Sequence, residues 1–264
     1  MLHFKKCFLF FLFTLICAHS FAQEGTRTTT TPTNTAEASG KIMLVPFEPK
    51  LYMSDIDQKI NQQTKWGFET IRENFRHQLD AQLKLKFQSI SPVVSFYSDS
   101  TKMSKDLEFT YKSTSLSYDL VQKPTDASTT EKKQSGIKNG QISVEMNNDK
   151  KFMNTKITNA EALGYLNKKY ASDYFVFINE LDIKNDMNSY DITQDLYQRE
   201  ITVHYSIIDK TGKTITAGIA SAHVSSKEDN PKKIISQCFS PIATSIASKF
   251  SAIVKPKPAA PQKN

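Results

Sequence analysis

Two aspartates one residue apart, Asp55-Ile56-Asp57, follow an acid and a phenol, Glu48 and Tyr52, in the stretch KIMLVPFEPKLYMSDIDQKI (41–60). Paired carboxylates can ligate a metal ion. An acid and a phenol at the carboxyl end of an opening strand stand where open α/β sheets place ligands. A calcium loop, however, needs further oxygen ligands and a glycine at fixed offsets, and none follows Asp57. Ser54 stands where an N-cap side chain accepts a free backbone amide, with Asp57 three residues on. Both aspartates also place negative charge at the positive end of a helix dipole. Capping therefore accounts for the pair without a metal.

Histidine and cysteine offer less. His204 and His223 fall on segments that read as the two strands of a hairpin, so they could approach one another. A metal site would need a third ligand, and no acid is evidently placed to supply it; outward-facing strand positions are the expectation. Cys238 lies on the apolar face of a helix and reads as a small buried hydrophobe. The chain has no G-x-S-x-G elbow, no phosphate-cradling glycine loop and no H-E-x-x-H. No cofactor and no metal are expected.

The opening MLHFKKCFLFFLFTLICAHSFAQ has a basic start at Lys5-Lys6, an apolar core over 7–17 and small residues at Ser20 and Ala22. This is the pattern of a signal peptide (1–22) cleaved after Ala22, and it implies a periplasmic or secreted protein. The apolar run is shorter than the ~20 residues a spanning helix needs. Lipid attachment at Cys17 is the alternative, giving a membrane-tethered lipoprotein, but Ile16 is bulky where a small residue is wanted. Cleavage removes Cys7 and Cys17 and leaves Cys238 alone among the three cysteines. That excludes an intramolecular disulfide and a cysteine-built zinc site. Loss of Lys5 and Lys6 lowers the formal charge from +7 to +5. Lysines are scattered among acids rather than massed on one face, so no nucleic acid partner is expected. No later run is long and apolar enough to span a membrane; peripheral association remains open.

The elements that must position these residues follow from spacing. The Thr-rich stretch 23–40 reads as a disordered linker and the Pro/Lys tail 255–264 as another, enclosing a domain over 41–254. Lys41 to Phe47 fits a buried strand. Phe68, Ile71, Phe75, Leu79 and Leu83 form one apolar helix face, with a bend at Gly67. The run PVVSFYS (92–98) predicts a strand. Met103, Leu107 and Tyr111 predict a helix through the segment 100–121. The polar stretch 122–140 reads as a flexible insertion, with short strands QISVEM (141–146) and KFMNTKI (151–157) flanking a turn. Asn159 caps a short helix, and 173–183 is a long β-rich run. The stretch 185–198 reads as a polar loop. Ile201, Val203, Tyr205 and Ile207 face one way and Thr202, His204 and Ser206 the other. Gly212 turns a hairpin into 214–225. Asn230-Pro231 opens a last helix whose inner face is Ile234, Ile235, Cys238, Phe239, Ile242, Ile246 and Phe250, with Pro241 inside it. This order predicts a single α/β (α+β) domain, a mixed sheet with a C-terminal antiparallel hairpin covered by helices.

The run PFEPKLYMSDID (46–57) resembles the opening of a group of secreted and periplasmic proteins of Gram-negative bacteria. ASDYFVFINEL (171–181) followed by ITVHYSIIDKTGKTITAG (201–218) is similar to the curli-export lipoprotein and penicillin-binding-protein activator lipoprotein superfamily. The resemblance implies assembly or regulation by contact with another envelope protein, without catalysis. The expected contact surface is Glu48, Lys50, Tyr52, Ser54, Asp55 and Asp57 with the polar stretch 185–198. An envelope hydrolase using carboxylates near Glu48 and Asp55 is the competing expectation.

Overall fold

The computed structural model describes residues 40–97, 100–121, 137–138, 141–142 and 151–254. The expected signal peptide, the C-terminal tail, the linker up to residue 39 and most of the insertion lie outside the described residues.

The chain opens with β1 (Lys41–Val45), a 3-10 turn at Pro49–Leu51, β2 (Tyr52–Ser54) and α1 (Asp57–Thr64). There follow α2 (Phe68–Gln88), β3 (Val93–Ser95), α3 (Ser100–Lys112) and β4 (Thr114–Leu120). A two-residue pair comprises β5 (Ile137–Lys138) and β6 (Gln141–Ile142); β7 is Lys151–Ile157 and α4 is Glu161–Tyr170. The chain ends in β8 (Ser172–Asp191), β9 (Leu196–Asp209), β10 (Thr214–Ser225) and α5 (Pro231–Val254).

The main sheet is mixed, in the order β10-β9-β8-β1-β3, with β2 on β8 beyond the end of β1. β1 runs parallel to β3 and β8, while β8, β9 and β10 are antiparallel neighbours. Both faces are covered at β1, because alternate residues of that strand enter different cores. Ile42 and Leu44 pack with Phe75 and Leu79 of α2 and Phe239 and Ile242 of α5. Met43 and Val45 pack with Met103 of α3 and Leu163 and Leu166 of α4. Two aromatic contacts lock α2 to α5: Phe75 meets Phe239 edge-on at 5.8 Å between ring centres, and Phe87 meets Phe250 at 5.7 Å.

The helical stripe of α2 is buried as its spacing predicts, except at the start. Phe68, the first helical residue, is exposed. Gly67 does not bend one helix but separates two. Lys65 turns left-handed at φ 64°, its amide closing α1 on the Asn61 carbonyl, and Gly67 then takes an extended backbone as N-cap of α2. The last helix opens as expected, with Lys232 N–H donating to the Asn230 side chain.

Two expectations are corrected and one pairing is added. The helix after Ser100 stops at Lys112, and residues 114–120 form β4, whose Leu116, Tyr118 and Leu120 alternate as a strand requires. β7 pairs with β4, antiparallel from Thr114–Ile157 to Leu120–Lys151, and of the expected strand 141–146 only 141–142 lie among the described residues. The polar stretch 185–198 is not a loop: β8 and β9 extend through it, and only residues 192–195 turn. The Asp191 carboxylate accepts the amides of Thr193 and Gln194 there, and Asp195 sits left-handed at φ 47°.

Candidate functional site

The residues at the first turn are held by one another and by the sheet. Glu48 pairs with Lys50 at 2.8 Å. The Tyr52 hydroxyl donates to Asp57 Oδ1 at 2.6 Å rather than meeting Glu48, and its ring packs beside Phe47 and Phe75. Burial, then the Asp57 charge, drives the Tyr52 phenol far above its ordinary range. The expected Ser54 cap is displaced: α1 starts at Asp57 with Ile56 in the N-cap position, and Ser54 Oγ accepts the Ile56 amide at 3.3 Å instead. Asp55 joins the corner to β8, accepting the Asn185 amide at 3.0 Å and donating its own amide to the Ile183 carbonyl. Buried Arg76 braces the same corner through the Phe47 carbonyl and the Tyr111 hydroxyl.

A second grouping was not foreseen, and a bulge in β8 creates it. Before the bulge Val176 and Ile178 point into the α2/α5 core; after it Leu181 and Ile183 do. The register against β9 slips between Ile178 and Glu180. One extra residue, Asn179, thus reverses the parity of the strand. It sends Glu180, Asp182 and Lys184 to the opposite face, where Thr202, His204 and Ser206 of β9 also point. Glu180 lies opposite His204, Asp182 opposite Thr202 and Lys184 opposite Glu200.

The β4–β7 pair covers part of this face through polar bonds. Met153 N–H donates to His204 Nδ1 at 2.8 Å and Thr155 N–H to Ser206 Oγ at 3.0 Å. Asn179 links the layers, donating to the Met153 carbonyl and to Ser206 and accepting from Thr155. His204 is therefore on the expected face but buried, contrary to the solvent-facing expectation. His223 remains exposed; it lies opposite Glu200, whereas His204 lies opposite Ile219, so the two are not cross-strand neighbours.

Beside this cover opens a cavity of about 270 Å³ lined by Tyr118, Asp182, Lys184, Glu200, Thr202 and His204 among others. Tyr118 donates to Glu180 Oε2 at 2.8 Å, and Lys184 Nζ lies 2.5 Å from Asp182 Oδ2. The other Asp182 oxygen, Oδ1, is buried and has no hydrogen-bond partner. Burial raises the Glu180 carboxyl to about 7; Tyr118 opposes the shift and the Asp182 charge adds to it. Burial lowers the His204 imidazole, and the Asp182 carboxylate offsets part of that effect.

One donor atom each from Glu180, Asp182 and His204 lie within 4.8 Å of one another, a spacing a metal ion could use. The chemistry argues otherwise. The Nδ1 lone pair of neutral His204 is committed to the Met153 amide, so Nε2 carries the proton and cannot ligate. An ammonium group already occupies Asp182 Oδ2. What the site offers is a mixture of unused donors and acceptors: His204 Nε2–H stands 3.9 Å from Asp182 Oδ2, beyond direct hydrogen-bond reach.

A scan against protein-family models gives no match, and neither does a search of curated proteins. Among solved structures, the crystal structure of lipoprotein GNA1162 from Neisseria meningitidis is similar at a TM-score of 0.34 and 12% identity, covering 81% of this chain and 99% of that one. A likeness at that score carries no argument here.

Proposed function

We propose that this protein is a non-catalytic component of the bacterial cell envelope that acts by contact with another envelope protein, using the far end of the β8–β9 hairpin. The observation that carries this reading is where the exposed apolar side chains lie. Beyond the Asp186–Gln198 pair the two strands run on past both β2 and β10 as an irregular ribbon, β8 unpaired with β9 over 187–190 and paired again at Asp191–Leu196. Met187, Tyr190 and Ile192 on it are 61%, 43% and 83% exposed. Large apolar groups gathered on a projecting element are a common basis of a protein contact. The Glu48–Asp57 corner adjoins the ribbon's root through the Asp55–Asn185 bond and forms its flank. The envelope location rests on the amino-terminal export pattern. No helix among the described residues is long and apolar enough to cross a membrane.

The test is cross-linking in whole cells followed by isolation of the tagged protein. A cross-linked partner should be lost in the M187S/Y190S/I192S variant while the thermal midpoint stays near wild type. A partner retained by that variant rules out the ribbon as the contact. Mass spectrometry of the mature chain should find Gln23 at its start; lipid on Cys17 would instead make it a tethered lipoprotein.

A further inference from the structure

The cavity between β4 and the β8–β9 face has a composition that the contact reading leaves unused. Asp182 and His204 are each only 5% exposed, yet each presents an atom with no protein hydrogen bond, Oδ1 of Asp182 and Nε2–H of His204. An unpartnered buried acceptor is costly and calls for a donor. His204 Nε2–H, too far from Asp182 to bond it directly, and the open Asp182 Oδ1 together call for a group that accepts from the first and donates to the second. A hydroxyl group does both; an ammonium cannot accept, and a carboxylate cannot donate.

The surrounding charges favour the same class. Asp182 is balanced by Lys184, His204 is neutral, and the Glu180 carboxyl is engaged by the Tyr118 hydroxyl. Lys151 from β7 and Glu200 from β9 complete the titratable groups around the opening, one of each sign. A strongly charged ligand would meet its own sign on one side of this ring. The Tyr118 ring, 52% exposed and standing edge-on to His204 at 6.4 Å between ring centres, supplies an apolar wall. A volume of about 270 Å³ is enough for one small ring.

We infer that this cavity binds a neutral polyhydroxyl ligand about one sugar ring in size, with Asp182 accepting from its hydroxyls, His204 donating to them and Tyr118 lying against its apolar face. Methyl α-glucoside, N-acetylglucosamine and myo-inositol, titrated at millimolar concentrations and read by saturation-transfer NMR, test it. At least one should bind, and Asp182→Asn should weaken that binding about tenfold or more, as loss of a charge-assisted hydrogen bond does. Because Asp182 also holds Lys184, Tyr118→Ala gives an independent arm: with its ring half exposed, the variant should keep the wild-type circular dichroism and lose the ligand. A β-linked disaccharide that binds more tightly than its monosaccharide assigns the cavity to a glycan end, and equal affinity assigns it to a free sugar. Failure of all three probes overturns the inference. So does binding that is indifferent to both substitutions, or ethanolamine or zinc ion occupying the site in their place.

Discussion

Glu180 is held where its ionised form is unwelcome, and the consequence is a stability that depends on pH in a definite direction. Its carboxyl titrates near 7 in the fold against 4.5 for an unperturbed group, with burial as the main cause. Between those values the unfolded chain has released its proton and the folded chain has kept it. The unfolded state therefore binds fewer protons, and stability falls as pH rises through the window, with the whole penalty present above it. Buried Asp80, raised to about 6 by burial despite the Ser95 hydroxyl at 2.6 Å, acts in the same sense. His204 acts oppositely: its lowered imidazole pKa favours folding as pH rises to the unperturbed 6.5. Replacing Glu180 by Gln keeps an acceptor for Tyr118 and removes the Glu180 charge together with its repulsion of Asp182. Thermal melts should show E180Q more stable than wild type near pH 8 and close to it near pH 4.5. A gain of the same size at both pH values would mean that charge is not the cause. The face on which His204 lies was legible from the alternation of 201–207. Its burial was not, because the covering strand β4 shares its run with α3, where the helical steps of Met103, Leu107 and Tyr111 dominate the pattern.

Asn179 sets which way the two halves of β8 face. The apolar positions of β8 jump from even to odd across it, Val176 and Ile178 before, Leu181 and Ile183 after. That jump stands in the sequence FVFINELDI (175–183) as a break in period two, and it was the available signal for a bulge and for three charged side chains sharing one face. Deleting Asn179 would restore strict alternation and leave Glu180, Asp182 and Lys184 on their present face, since Leu181 would then stand two positions after Ile178. The shortened strand should therefore still unfold cooperatively in urea. Asn179→Ala removes only the bonds to Met153, Thr155 and Ser206 and should cost about 2–3 kcal/mol in urea unfolding. A deletion that abolishes the cooperative transition while Asn179→Ala keeps it would mean that β8 cannot close up over the missing residue and that the bulge itself is required. The ribbon beyond Asn185 could not be read as strand for a different reason: neither of its faces is covered by a packed layer, so composition there carries no burial signal.

Across the whole molecule the α2/α5 layer is the part spacing predicts best, because a helix that buries one stripe must repeat apolar residues at three- and four-residue steps. Phe239, fully buried against Phe75, should cost about 3–5 kcal/mol when replaced by alanine. Exposed Phe68→Ala, though placed on the same stripe by its sequence spacing, should stay within about 0.5 kcal/mol of wild type. Comparable losses from the two would mean that the start of α2 is covered after all. The topology also bears on how the chain assembles. Among the described residues β1 is the first strand made, yet it is interior to the sheet and rests against residues 172–177. As the polypeptide emerges from a ribosome or a translocation pore, this apolar leader has no main-chain partner on its β8 side until the second half has appeared. Closing so long a loop is slow, which leaves residues 41–45 dependent on a holding factor in the interval and makes them the stretch most prone to stray pairing before the sheet is complete.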